Sequence, residues 1–206
     1  MTSWNLPTGF LRIHSWKQPD GRKQLQRSVW TGRTRELVNG PSDRWTCSGE
    51  IRQMNDAKLI IWRAFQMRMK QPGARVRLPA TIGSQHAVGS GLPDTCTVGA
   101  ALAFGQTVVL TGLTPSAVNL PAGALLTIAL PSGDEQMLGL LADLLADEVG
   151  NAIAQLDCPL RESPALGAAV QLAEPYALMR AIDPKAWASE PGRIHSVPAI
   201  EFEEAF

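Results

Sequence analysis

Between Leu120 and Arg161, short apolar runs alternate with turn-forming residues at close intervals. Pro121-Ala122-Gly123 opens into the apolar run 124–130. Pro131-Ser132-Gly133-Asp134 then turns the chain into a longer run, 136–145. Glu148-Val149-Gly150-Asn151 turns it again into 152–156, and Cys158-Pro159 stops it. Gly, Pro, Asn and Asp supply the backbone conformations that tight turns need, so this succession predicts an antiparallel meander. Within it the run 136–147 carries two patterns. Its Leu and Ala content favours a helix, while Leu138, Leu140, Ala142 and Leu144 satisfy a period of two, with both faces apolar. The flanking turns favour strand.

Elsewhere the periods are clearer. Trp45, Cys47, Gly49 and Ile51 share one face of a predicted strand, with Thr46, Ser48 and Glu50 on the other. The segment 55–71 is the one predicted helix: Asn55 or Asp56 caps its start, and Leu59, Trp62, Phe65 and Met69 form a stripe suited to core packing. Pro72-Gly73 ends it. Segment 74–79 alternates Arg75 and Arg77 with Val76 and Leu78, as a strand with one charged face. The Gly-rich stretch 80–97 reads as a long loop. Further strands are expected at 107–113, 168–172, 177–182 and 200–206, where Ile200, Phe202 and Glu204 alternate with Glu201 and Glu203. At the other end, 1–27 fits either an extended arm or a first strand followed by a turn at Pro19-Asp20-Gly21, and Ser28-Val29-Trp30 precedes the turn Asn39-Gly40-Pro41. The fold class expected is mainly β, an antiparallel sandwich or barrel with one amphipathic helix. It divides into an arm (1–27), a β-rich portion with the helix (28–110) and a meander portion (111–206).

Composition narrows this further. At 206 residues and 45% hydrophobic, the chain can bury a core of one large β domain or two small ones. Lys+Arg and Asp+Glu are both 19, so the overall charge lacks the basic excess of a nucleic-acid binder. Cys47, Cys96 and Cys158 are odd in number and without a CxxC or Cys/His cluster, which predicts buried or semi-buried thiols in a reducing cytoplasm. Met1 to Phe10 is interrupted by Asn5 and Pro7, and no apolar run is long enough to span a bilayer, so neither export nor a membrane is expected.

No residue pattern specifies chemistry. His14, His86 and His195 stand alone in loop-like settings, and no GxSxG accompanies them. Gly89-Ser90-Gly91 completes no phosphate-binding motif. Arg75 and Arg77 are expected to be solvated strand charges. Asp143 and Asp147 would share a helix face if 136–147 were helical, again as a solvated face. Glu201, Glu203 and Glu204 suggest a glycosidase, but that reaction needs two carboxylates at a set separation across a cleft. The expectation is a protein that is not an enzyme, with no catalytic, cofactor-binding or metal-binding residue.

The order of several short motifs resembles distal tail proteins of tailed bacteriophages. They are Trp30-Thr31-Gly32, Trp45, the helix at 55–71, Leu120-Pro121-Ala122-Gly123 and Gly150. Cys158-Pro159-Leu160-Arg161, 167–170, Pro175 to Arg180, Trp187 and Phe202 to Phe206 follow, so the resemblance runs through 28–206. Ala124 stands where the family's turn carries an acidic residue. The resemblance implies a virion structural protein of the tail tip or baseplate, made in the host cytoplasm. It also implies a homo-oligomeric ring joining tail tube to hub or fibres, without cofactors. A neck or tail-completion protein is the alternative, and a cell-wall glycan-binding or hydrolysing module is the alternative of another class.

Overall fold

The computed structural model describes residues 3–5, 11–17, 23–27, 34–38, 44–80, 93, 95–101, 105–184, 187 and 195–205. In chain order its elements begin with β1 (Ser3–Asn5), β2 (Leu11–Lys17), β3 (Lys23–Arg27), β4 (Thr34–Val38) and β5 (Thr46–Met54). Next come α1 (Asp56–Met69), β6 (Arg75–Pro79), β7 (Thr95–Ala101), β8 (Thr107–Thr111), β9 (Val118–Leu120), β10 (Leu125–Ala129) and β11 (Glu135–Gly139). β12 (Leu144–Leu145), β13 (Asn151–Gln155), β14 (Ala169–Gln171), β15 (Tyr176–Ala181) and β16 (His195–Glu204) complete them. The chain is mainly β, with one helix among the described residues.

Two six-stranded sheets carry the fold. One has the order β1-β6-β15-β16-β5-β2, antiparallel except that β1 runs parallel to β6. The other has the order β11-β10-β14-β7-β8-β13. It curls until its two edges meet: Leu140 bridges Leu156, and Asp157 N donates to Gly139 O. The result is a partial barrel, with β9 and β12 paired beside it. Sheet membership crosses the sequence, because β15 and β16 join β5 and β6, whereas β7 and β8 join the later strands.

Periodicity accounts for most of the local structure. Trp45, Cys47, Gly49 and Ile51 are all buried and their neighbours half-buried. Asn55 Oδ1 accepts from Lys58 N at the start of α1, and Leu59, Trp62, Phe65 and Met69 are its buried residues. Gly73, at φ +72°, turns the chain out of the helix. The alternation at 200–204 also holds, down to a fully buried Glu204.

The run 136–147 is not helical: 136–139 belong to β11 and Leu144–Leu145 form β12, with bends between them, and the two apolar faces of β11 have a physical cause. On β11, Leu138 faces the barrel interior and Met137 faces the other core, so β10 and β11 form a wall shared by both. Burial on both sides overrides helix propensity. The meander expectation needs correction: β10 and β11 form the hairpin around Gly133, but β13 pairs with β8 across the barrel. The stretch 80–97 is not wholly loop, since Thr95, Cys96 and Thr97 belong to β7. Its residues 81–92 and 94 lie outside the described residues, as do Ser28-Val29-Trp30 and the turns at 19–21 and 39–41. Of 1–27, β1 and β2 pair within the chain's own sheet.

Candidate functional site

The seam where the shared wall meets the sheet of β6 and β15 holds Arg75, Arg77 and Glu204 of the charged side chains that the sequence singles out. Arg77 donates from Nε and Nη2 to the two oxygens of Glu135, at 3.0 and 2.8 Å, and its guanidinium lies 5.3 Å from the centroid of the Tyr176 ring. Tyr176 OH donates to Glu135 Oε1 at 2.9 Å. Arg75 pairs with Asp134. The two arginines of β6 are therefore cross-sheet clamps, a correction to the expected solvated face. One face of a strand read alone looks solvated; the carboxylates that meet it lie 58 and 59 positions away. Glu135 holds the Arg77 pKa above its ordinary value. Burial, followed by the Glu135 charge, pushes the Tyr176 phenol up to about 12.

Thr127 adds a neutral clasp, donating to Tyr176 O and accepting from Tyr176 N. Deeper in the seam, Arg161 Nη1 and Nη2 donate to Glu204 Oε1 and Oε2 at 3.0 and 2.8 Å. Trp45 N also donates to Glu204 Oε2, and Trp45 Nε1 donates to Met137 O. A carboxylate with no exposure is tolerable only because bidentate donors and a backbone N–H replace its water. Gln136 braces the arginine segment, accepting from Arg161 N and donating to Pro159 O.

The glycosidase triplet is thus split. Glu204 lies inside the seam, Glu203 pairs with Arg180 at the surface, and Glu201 is exposed. Asp143 and Asp147 share no helix face. Asp143 accepts from Ala122 N, 21 positions away, and Asp147 accepts from Val149 N and Asn151 N, closing its own turn. These N–H groups, with Asn151 first, hold the Asp147 carboxyl below its usual range. Among the described residues no group of three or more His, Cys, Asp and Glu is placed to hold a metal. The backbone at His14 and His195 is strand, in β2 and β16, which corrects the loop-like setting; strand residues bordering irregular register lack clean alternation. His86 and Gly89-Ser90-Gly91 lie outside the described residues. Cys47 and Cys96 are buried and Cys158 is half-buried. Desolvation pushes Cys47 and Cys96 up to about 12 and raises Cys158 further, which keeps these thiols protonated at neutral pH.

What the overall charge conceals is its distribution. Residues 1–77 carry 15 Lys and Arg against 5 Asp and Glu, whereas 78–160 carry 7 acids and no Lys or Arg. A regional count exposes this signal, which the zero net charge hides. It follows the fold, since 78–160 supplies most of the barrel. Two surfaces show the contrast. The outer side of α1 exposes Ile60, Ile61 and Met67 beside Lys58, Arg63, Arg68 and Lys70. At the barrel edge, Val118 and Leu145 face each other across β9 and β12, with Ile153, Leu141 and Val149 also exposed and Asp143, Asp147 and Glu148 beside them.

No helix in the described residues is long and apolar enough to cross a membrane. No protein-family model matches the chain, and no curated protein matches it.

Proposed function

We propose that this chain is a structural subunit of a bacteriophage tail: a ring-forming protein of the tail tip or baseplate, similar to distal tail proteins, that links the tail tube to hub or fibres. The observation that carries the reading is the ordered set of motifs through 28–206 together with the positions those motifs occupy in the fold. Cys158-Pro159-Leu160-Arg161 and Phe202 to Phe206 resemble separate pieces of the family pattern, and Arg161 and Glu204 join them across the seam. Pro175 to Arg180 supplies Tyr176 to the same seam, and Leu120 to Gly123 and Gly150 supply turns of the barrel. The motif residues thus hold the two sheets in one orientation, which a ring subunit requires of a rigid building block. Two of the three carboxylates that suggest a hydrolase, Glu203 and Glu204, are engaged in ion pairs with arginines, which favours a structural use of them.

The test is particle assembly. Purified chain viewed by electron microscopy and measured by light scattering should form a closed oligomer, or be recruited into one by tail-tube or hub protein. A stable monomer that binds neither would end this reading. Loss of host cell-wall turbidity on adding the chain, abolished in Glu203→Gln, would replace it with the hydrolase.

A further inference from the structure

The two contrasting surfaces described above complement each other. A helix usually hides its apolar residues on one side, but α1 has them on both. Leu59, Trp62, Phe65 and Met69 face the core, while Ile60 is 68% and Met67 68% exposed on the outside. Large apolar residues grouped on the exposed side of a helix mark a surface that a partner covers. Its outer residues are set among basic side chains, with Asp56 the one acid in the helix. The barrel edge presents the reciprocal surface. Leu145, Ile153 and Val149 are 61, 66 and 80% exposed, and every charged residue from 78 to 160 is an acid. Leu145 and Val118 are directly paired across two strands, so they form one strip rather than scattered exposure.

We infer that the outer face of α1 in one copy docks on the β9–β12–β13 edge of the next copy, apolar strip against apolar strip, with Arg63 and Lys70 facing the acidic turns at Asp143 and 147–148. The two faces belong to different elements, one backed by the six-stranded sheet and the other by the barrel. The contact is therefore heterologous, head to tail, and repeats until the subunits close a ring or extend a filament. The inference rests on the ring-forming reading and names the surfaces that make the ring. Charge complementarity selects a second copy over a nucleic acid. Phosphate contacts call for basic side chains, whereas here exposed Ile and Met occupy the middle of the basic face.

The experiment uses the full chain and two variants, Arg63→Glu with Met67→Glu on the helix, and Leu145→Lys with Ile153→Lys on the barrel edge. Circular dichroism and thermal melting establish that each folds as the parent does. If either melts lower, the single exposed changes Ile60→Ser and Val149→Ser replace them. Sedimentation velocity should show the parent self-associating, less so at high ionic strength. Each variant alone should associate at least about tenfold more weakly. Mixed together, the variants should form a one-to-one complex that grows no further, since each retains the face the other has lost.

Parent-like assembly by both variants would overturn this interface while leaving a ring subunit in place. A parent monomeric at every concentration would also overturn it, and the tail reading falls as well only if the chain fails to join tail-tube and hub protein. Duplex DNA binding that is lost in the helix variant, with self-association unchanged, would make the α1 face a phosphate surface instead.

Discussion

Under α1 the core is built of plates and thioethers. Trp62 stacks on Trp187 with centroids 5.5 Å apart, Phe65 lies parallel to Trp187, and Phe202 meets Trp187 edge-on, with Met54, Met69, Met137 and Met179 filling around them. Inside the barrel the buried cluster is Leu, Val, Ile, Ala and one Cys, with no aromatic ring and no Met among the described residues. The difference follows from the shape to be filled. A curled sheet encloses a narrow, tapering space that branched aliphatic side chains fill in defined rotamers. A helix laid over an open sheet leaves a wide wedge, where large flat rings bury more area per side chain and Met adapts to the remaining gaps. One chain thus contains two packing solutions, joined by a charged seam.

That contrast can be broken at several points. The largest loss is expected at the seam. Arg161→Ala leaves the buried carboxyl of Glu204 without its main partner and should cost about 3–5 kcal/mol, whereas replacing both residues by apolar ones of similar volume should cost less. Urea unfolding measures both, and a split into two transitions would show the sheets uncoupled. Within the cores, Trp62→Ala should cost about 3–5 kcal/mol and weaken the near-ultraviolet dichroism. Leu110→Ala should cost about 2–5 kcal/mol and leave that signal intact, because the barrel cluster contributes no aromatic ring. A third pair separates conformational strain from steric crowding. Gly150 sits at φ +87°, where an added Cβ would come 2.5 Å from Leu113 O, while Gly123 at φ +84° has open space around it. Gly123→Ala should cost about 1–2 kcal/mol for the left-handed backbone alone, and Gly150→Ala roughly 2–4 kcal/mol in total.

The smallest effect at neutral pH is alkaline. Cys47 in the aromatic core and Cys96 in the barrel both have pKa values raised from 9.0 to about 12 by burial. A folded-state pKa above the unfolded one means stability is fully present below pH 9 and falls as pH rises through 12. Tyr176 acts in the same direction between 10 and about 12. Melting temperature against pH should therefore decline over that window, less steeply in Cys47→Ala and Cys96→Ala. Thiol-reagent labelling of each cysteine then reports which core opens first.

Local chemistry was legible in the sequence wherever it depends on near neighbours. The buried stripe of α1, the alternation from Trp45 to Ile51 and the turns around Gly123, Gly133 and Gly150 all follow from period and turn propensity. So does the mainly β class. Sheet membership was not legible, because β5 cannot announce that its partner is β16. The clamps at Arg75 and Arg77 were hidden for the same reason. The non-helical character of 136–147 was half legible: its two apolar faces were visible, but their cause, a wall between two cores, is a tertiary fact. For the candidate surfaces the missing step was different, since summing charge over the whole chain cancelled the asymmetry that distinguishes α1 from the barrel edge.

The pairing of β16 with β5 has a consequence for the order of events during synthesis. Trp45 N donates to a carboxylate 159 positions later, so the six-stranded sheet stays incomplete until the chain is translated through Glu204. The barrel needs nothing beyond Leu172 for its buried cluster and can close first. The early strands and the aromatic face of α1 must wait with their apolar surface uncovered, the condition under which nascent chains aggregate or recruit chaperones. Expression yield should therefore depend more on how long α1 waits than on the stability of the finished fold.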